Sequence, residues 1–221
     1  MANMSHISTN SPHAWILAAR PKTLTGAAVP VMIGISAAWA DGFFRPVPAL
    51  LCFLFAFFMQ IDANFINDYY DFRKGLDDEK RLGPKRACAE GWITLPAMRR
   101  GIICTTLLSC LTGLPLMWYG GWTMVLVGVC CVVFCFLYTT CMARLGLGDL
   151  LVLVFFGLVP VGATYYLQSG TVVPEVWALS LACGLVIDCL LVVNNYRDRY
   201  NDKVGGKITS VSYTHLTLPT I

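Results

Sequence analysis

The chain has 221 residues and a net charge of +3, with 57% hydrophobic and 13% charged residues. A mean hydropathy of +0.64 excludes an ordinary soluble domain. The natural partner for such a chain is a lipid bilayer, and no nucleic-acid partner is expected.

Residues 1–12 are polar and lack the basic start and short apolar core of a cleaved signal peptide, so none is expected. A short apolar stretch, Trp15 to Ala19, leads into Arg20-Pro21-Lys22. Runs long enough to cross a membrane then recur at roughly 23–40, 47–66, 101–119, 121–143, 150–167 and 174–193. Pro21 and Pro30 are tolerable in the first if neighbouring groups satisfy the freed carbonyls. Gly42 to Pro48 reads as a tight turn. Residues 72–100, rich in Lys, Arg, Asp, Gly and Pro, form a polar loop long enough to fold over an opening. Gly120-Gly121, Gly146 to Asp149 and Gln168 to Thr171 punctuate the remaining spans. From Ser210 the chain is uncharged and neither spans nor caps; the expectation is that 210–221 is a tail not native to the domain. The predicted class is therefore all-α, a polytopic transmembrane bundle over 13–209 with six spans.

Charge orients the bundle. With a cytoplasmic N-terminus, fifteen of the sixteen Lys and Arg residues fall on the cytoplasmic side, leaving only Arg45 outside.

Two polar clusters end apolar runs on that same side: Asn64-x₂-Asn67-Asp68-x₂-Asp71 after the second span, and Asn194-Asn195-x-Arg197-Asp198-x₃-Asp202 after the sixth. Residues four apart stack on one helix face. Oxygen-only donors so arranged suit Mg²⁺, which takes one or two carboxylates and leaves room for phosphate oxygens. The two clusters form a weak internal repeat, each followed by glycine, at Gly75 and at Gly205-Gly206. Together they predict a site where Asn67, Asp68, Asp71, Asn194, Asp198 and Asp202 hold metal and a lipid diphosphate, with Asn64 beside them. Lys74 and Arg73 are candidates to stabilise developing negative charge, and Arg197 offers a bidentate donor to phosphate. Asp62 and Asp188 lie within spans, where an ionisable group is costly and points to a role; neither has an evident partner in sequence. They are kept as support residues.

Ten cysteines contain no Cys-x-x-Cys pair, and nine lie in or beside apolar spans, where they act as small hydrophobes. His6, His13 and His215 form no cluster. The rival reading is a transporter fragment that binds a cation or proton, but transporter sites lie deep at broken helices, whereas these clusters lie at helix mouths.

The string Asn64-x₂-Asn67-Asp68-Tyr-x-Asp71-x₂-Lys74-Gly75-x-Asp77, with Arg81-Leu-Gly83-Pro84-x-Arg86, Gly91-x-Ile93-Thr94, Ala19-Arg20-Pro21-Lys22-Thr23 and the second cluster, is similar to the UbiA superfamily of membrane prenyltransferases. Gly75 stands where the broad pattern has a third aspartate, and the Lys-Gly-x-Asp wording resembles the naphthoate branch. The resemblance implies nine spans, so six implies a domain incomplete at its C-terminus, and an inactive fragment. It implies Mg²⁺-dependent transfer from polyprenyl diphosphate to an aromatic acceptor, dihydroxynaphthoate, in menaquinone synthesis at the inner membrane; another acceptor is the alternative. It adds Arg86 and Asn195 to the substrate-binding residues. Arg20 and Lys22 would attract the acceptor carboxylate or the diphosphate, and Tyr138 would border the pocket, with Asp149 as a further candidate.

Overall fold

A computed structural model describes residues 7–75, 83–140, 146–204 and 209–211, with side chains of 201–204 left aside. The described residues are helical wherever they form regular structure. A short helix, α1 (Pro12–Ala19), precedes the spans α2 (Pro21–Ala40), α3 (Pro46–Arg73), α4 (Leu95–Gly120), α5 (Trp122–Thr140), α6 (Gly148–Ser169) and α7 (Pro174–Val204). All six spans are long and apolar enough to cross a membrane, as the hydropathy pattern predicts.

Local chemistry sets the boundaries. Ser11 caps α1, its hydroxyl oxygen accepting from the Ala14 N–H at 3.2 Å. Arg20 takes a left-handed backbone (φ 52°, ψ 72°) that breaks α1 from α2. Pro21 and Pro46 open the first turns of α2 and α3, where the missing N–H is harmless. Gly121 and Gly170, both at positive φ, end α4 and α6.

Two helices run past the apolar windows. The run in α3 ends near residue 66, but the helix continues to Arg73, so the whole first cluster lies on its last turns. In the same way α7 carries the second cluster to Tyr200 and beyond. A helix satisfies its own backbone, so it can continue into the headgroup layer after the apolar side chains stop.

Packing centres on α3, which contacts α2, α4 and α5, while α6 bridges α2 and α7. At one crossing the backbones nearly touch: a Cβ on Gly157 of α6 would lie 2.6 Å from the Ser180 carbonyl oxygen and 2.7 Å from Gly184 Cα of α7. Small residues allow such an approach, which gains dispersion contacts where lipid supplies no hydrophobic drive. A π turn, Leu153–Leu158, coincides with this crossing.

Outward faces are apolar and exposed, as at Leu107, Leu111, Leu126, Leu185 and Val193. Trp39, Trp118, Trp122 and Trp177 gather at the helix ends opposite the Asn/Asp clusters, all about half exposed or more. An aromatic belt of this kind marks a membrane interface. Mid-span, Asp62 is fully buried and accepts from the Thr105 hydroxyl at 2.6 Å and the Thr106 hydroxyl at 2.7 Å. It therefore has the partners its sequence surroundings did not reveal. Tyr165 donates to Asp41 at 2.6 Å across the far end of the bundle.

Candidate active site

The first cluster divides between two faces of α3. Asn64 and Asp68, four apart, turn toward α1 and the 83–94 segment. Asn64 Nδ2 donates to the Ala19 carbonyl and the Thr23 hydroxyl, both at 2.9 Å. Asp68 is fully buried; Oδ2 accepts from the Ala87 N–H and Oδ1 from the Cys88 N–H, each at 2.9 Å, with Arg20 at 3.9 Å. This carboxylate pins the segment that enters the core beside α1 and α4 through Ala87, Cys88 and Ile93. The spacing assigns Asn64 to substrate and Asp68 to metal; in this arrangement both side chains brace the scaffold. Spacing along one helix could not reveal this, because the partners come from residues far away in sequence.

Asn67 and Asp71 occupy the other face. Asn67 lines a cavity and accepts a short hydrogen bond from the Thr139 hydroxyl. One turn further out, Asp71 pairs with Arg86 at 3.3 Å. Lys74 Nζ donates to the carbonyls of Thr139 (2.9 Å) and Thr140 (3.4 Å). It caps the end of α5, where a cation complements the exposed carbonyls and the helix dipole. In this arrangement Lys74, named from sequence as part of a phosphate clamp, ties the end of α5 to α3.

The second cluster repeats the cavity-facing half. Asn194 lines the same cavity as Asn67. Asp198, one turn on, is gripped by its neighbour Arg197 through Nε and Nη2, both at 2.7 Å. The fork expected to reach phosphate is therefore engaged with a carboxylate. Asn195 is buried on the neighbouring face. Asp202 lies in helical backbone, but its side chain falls outside the described residues, as do Asp77, Asp78 and Arg144.

The cavity measures about 500 Å³ and has walls from each of α2 to α7. Its mouth holds Lys22, Thr23, Thr25, Asn67, Tyr138, Thr139 and Asn194; its interior is apolar apart from Gln60 and Thr164. Lys22 and Tyr138, both named from sequence, are thus part of its lining. Thr139 and Gln60 were missed, since a lone polar residue in an apolar run resembles any helix-satisfied side chain. Asp149 and Asp188 lie within electrostatic reach of each other outside the cavity lining.

The oxygen donors a metal would draw on are Asn67 and Asn194 in the cavity lining, with Asp71 and Asp198 one helical turn beyond them on the same helices. Among the described residues no three acidic, His or Cys side chains already converge on one point. The two carboxylates are already held close to arginines, whose charge a divalent cation could replace while the guanidiniums turned to phosphate. That donor set fits magnesium chemistry. Asp68, as placed, has both oxygens taken by backbone N–H groups.

These features define a multi-pass α-helical membrane protein with a polar mouth over an apolar cavity. Residues 27–218 match the model of the UbiA prenyltransferase family, and the chain belongs to that family. It is 37% identical over 217 residues to 1,4-dihydroxy-2-naphthoate octaprenyltransferase of Escherichia coli (strain K12), covering 94% of this chain and 70% of that protein. It is 35% identical over 201 residues to the protein of the same name from Mycobacterium tuberculosis, covering 88% and 68%. UbiA prenyltransferase domain-containing protein 1 of Danio rerio is 30% identical over 215 residues, with coverage of 89% and 60%. A solved structure concerned with digeranylgeranylglyceryl phosphate synthase superposes with a TM-score of 0.65 at 22% identity, covering 93% of this chain and 70% of that one. That likeness speaks for the fold.

Proposed function

We propose that this protein transfers a polyprenyl group from polyprenyl diphosphate to 1,4-dihydroxy-2-naphthoate, with loss of carbon dioxide and diphosphate. The observation that carries the reading is that Asn67 and Asn194, from clusters about 130 residues apart, stand at the mouth of one deep apolar cavity. The named relatives at 37% and 35% identity favour the naphthoate acceptor.

The apolar walls take the prenyl tail, and the diphosphate stays at the polar mouth. Arg86 and Arg197, already poised on Asp71 and Asp198, offer planar donors that suit phosphate oxygens. Magnesium, held by Asp71, Asp198, Asn67 and Asn194 with Asp202 as a further ligand, would neutralise the leaving group. Lys22 at the rim draws the acceptor's carboxylate, and Tyr138 borders the ring. The electron-rich ring carbon that bears the carboxylate attacks the allylic carbon as its bond to the diphosphate oxygen breaks. Carbon dioxide then leaves, and its bonding electrons restore aromaticity. The product is the quinol form of demethylmenaquinone. Asp68 assists by holding the segment that presents Arg86. The mouth faces the cytoplasm of the inner membrane, the side to which the basic residues assign it.

The test is transfer of labelled prenyl diphosphate to dihydroxynaphthoate in membranes carrying this chain, whose six spans already wall the cavity; turnover there would set aside the expectation of an inactive fragment. Product that appears with Mg²⁺, disappears with chelator and falls about a hundredfold in Asp198→Asn is expected. Undiminished, chelator-resistant transfer in that variant would overturn the metal assignment.

A further inference from the structure

The cavity has a floor. Val31, Cys52, Leu116 and Leu167 form a buried apolar cluster, with Met124 packed against it, and all five also line the cavity. They lie toward the aromatic end of the bundle, opposite the mouth.

The depth follows from helix geometry. On α3 the lining runs from Asn67 at the mouth to Cys52 at the floor, and on α5 from Thr139 to Met124. Fifteen residues at the α-helical rise make about 22 Å. An extended isoprene unit spans four carbon–carbon bonds, roughly 5 Å at ordinary bond lengths. The lined depth therefore matches between four and five units end to end.

One position controls how much of that depth is usable. Gly128 lies on the lining stripe of α5, between Met124 and Cys131. A Cβ placed there would meet no atom within 4 Å. The hydrogen bond between Asn67 and Thr139 sets the register of α3 and α5, which run in the same direction. Eleven residues back from that pair stand Ala56 and Gly128, two small residues at one level. By contrast, a Cβ on Gly113 would strike the Phe55 ring at 2.8 Å, so that glycine serves packing. Gly128 serves empty space.

We propose that Gly128 is a specificity-determining position for prenyl chain length, its missing side chain opening the distal part of the cavity to the fourth isoprene unit and beyond. The proposal rests on the prenyltransferase reading. From Thr139 to Gly128 is about 16 Å, room for three units. A leucine at 128 would fill the space beyond, and it is also a better helix former than glycine.

The test uses prenyl thiodiphosphates of two and four isoprene units, each with a diazirine on its terminal unit, added with Mg²⁺ to the purified full chain. Labelled residues are mapped by mass spectrometry. In the unaltered protein the four-unit probe labels Leu116 and Met124. In Gly128→Leu that floor labelling falls about tenfold or more, the size of effect an apolar pocket can impose, while two-unit labelling stays within about twofold. Gly26, another lining glycine with nothing within 4 Å of a Cβ, stands one turn from Lys22; Gly26→Leu should weaken both probes alike. Equal loss of both probes in Gly128→Leu, or loss of neither, overturns the proposal and leaves the prenyltransferase reading standing. Failure of both probes to label the unaltered protein overturns that reading as well.

Discussion

The cluster on α3 and the cluster on α7 share an Asn-x₃-Asp spacing, yet the fold uses them differently. On α3 each of the four polar residues is held by another part of the chain: Asn64 by Ala19 and Thr23, Asn67 by Thr139, Asp68 by Ala87 and Cys88, and Asp71 by Arg86. On α7, Asp198 is held by the residue beside it, and Asn194 faces the cavity. One copy of the motif thus organises four segments of the fold as well as facing the cavity. The other meets the cavity through Asn194 and buries Asn195 on its neighbouring face. The repeat is chemical, and the division of labour is tertiary.

That contrast can be broken most forcefully at Asp68. Asp68→Ala leaves two buried N–H groups without their acceptor, at about 1–3 kcal/mol each, and frees the segment that presents Arg86. We expect prenyl transfer to fall by about a hundredfold or more, with faster amide hydrogen exchange across residues 83–94. Unchanged exchange there would show that the carboxylate does not hold the segment.

Asp198→Asn should match much of the catalytic loss and none of the structural one. Transfer drops about a hundredfold, while exchange over 83–94 stays as in the unaltered protein. If both clusters loosened the segment equally, the contrast between them would vanish.

A milder effect is expected at Asn64. Asn64→Ala removes two hydrogen bonds that tie α3 to α1 and α2, so thermal unfolding in detergent should shift by the equivalent of about 1–2 kcal/mol. Affinity for prenyl diphosphate should hold. A large affinity loss with an unchanged melting point would return Asn64 to the substrate site.

The smallest change is expected at Thr139→Val, which deletes the hydroxyl that orients Asn67. A few-fold rise in KM for prenyl diphosphate with little change in kcat would place Asn67 in ground-state positioning. An equal fall in kcat and kcat/KM would place it in the transition state.

The spans were legible because a bilayer imposes one rule along the whole chain: long apolar runs with satisfied backbones. All six appear, and the departures lie at their ends, where α3 and α7 continue through polar sequence. The cavity-facing positions were half legible. Residues four apart do share a face, but two such faces start three residues apart in Asn64-x₂-Asn67-Asp68-x₂-Asp71, and nothing local distinguishes Asn64/Asp68 from Asn67/Asp71. Lys74 illustrates the same limit, since its role depends on where α5 ends.

From sequence alone came the class, the number of apolar crossings, the sidedness of charge and the two oxygen-rich helix ends, all properties of composition and spacing within one segment. Only the folded bundle decided which oxygens turn to the cavity, which hold a distant loop, and how deep the cavity runs. Those outcomes depend on contacts between segments up to about 130 residues apart, and helical periodicity does not encode which neighbour a face will meet.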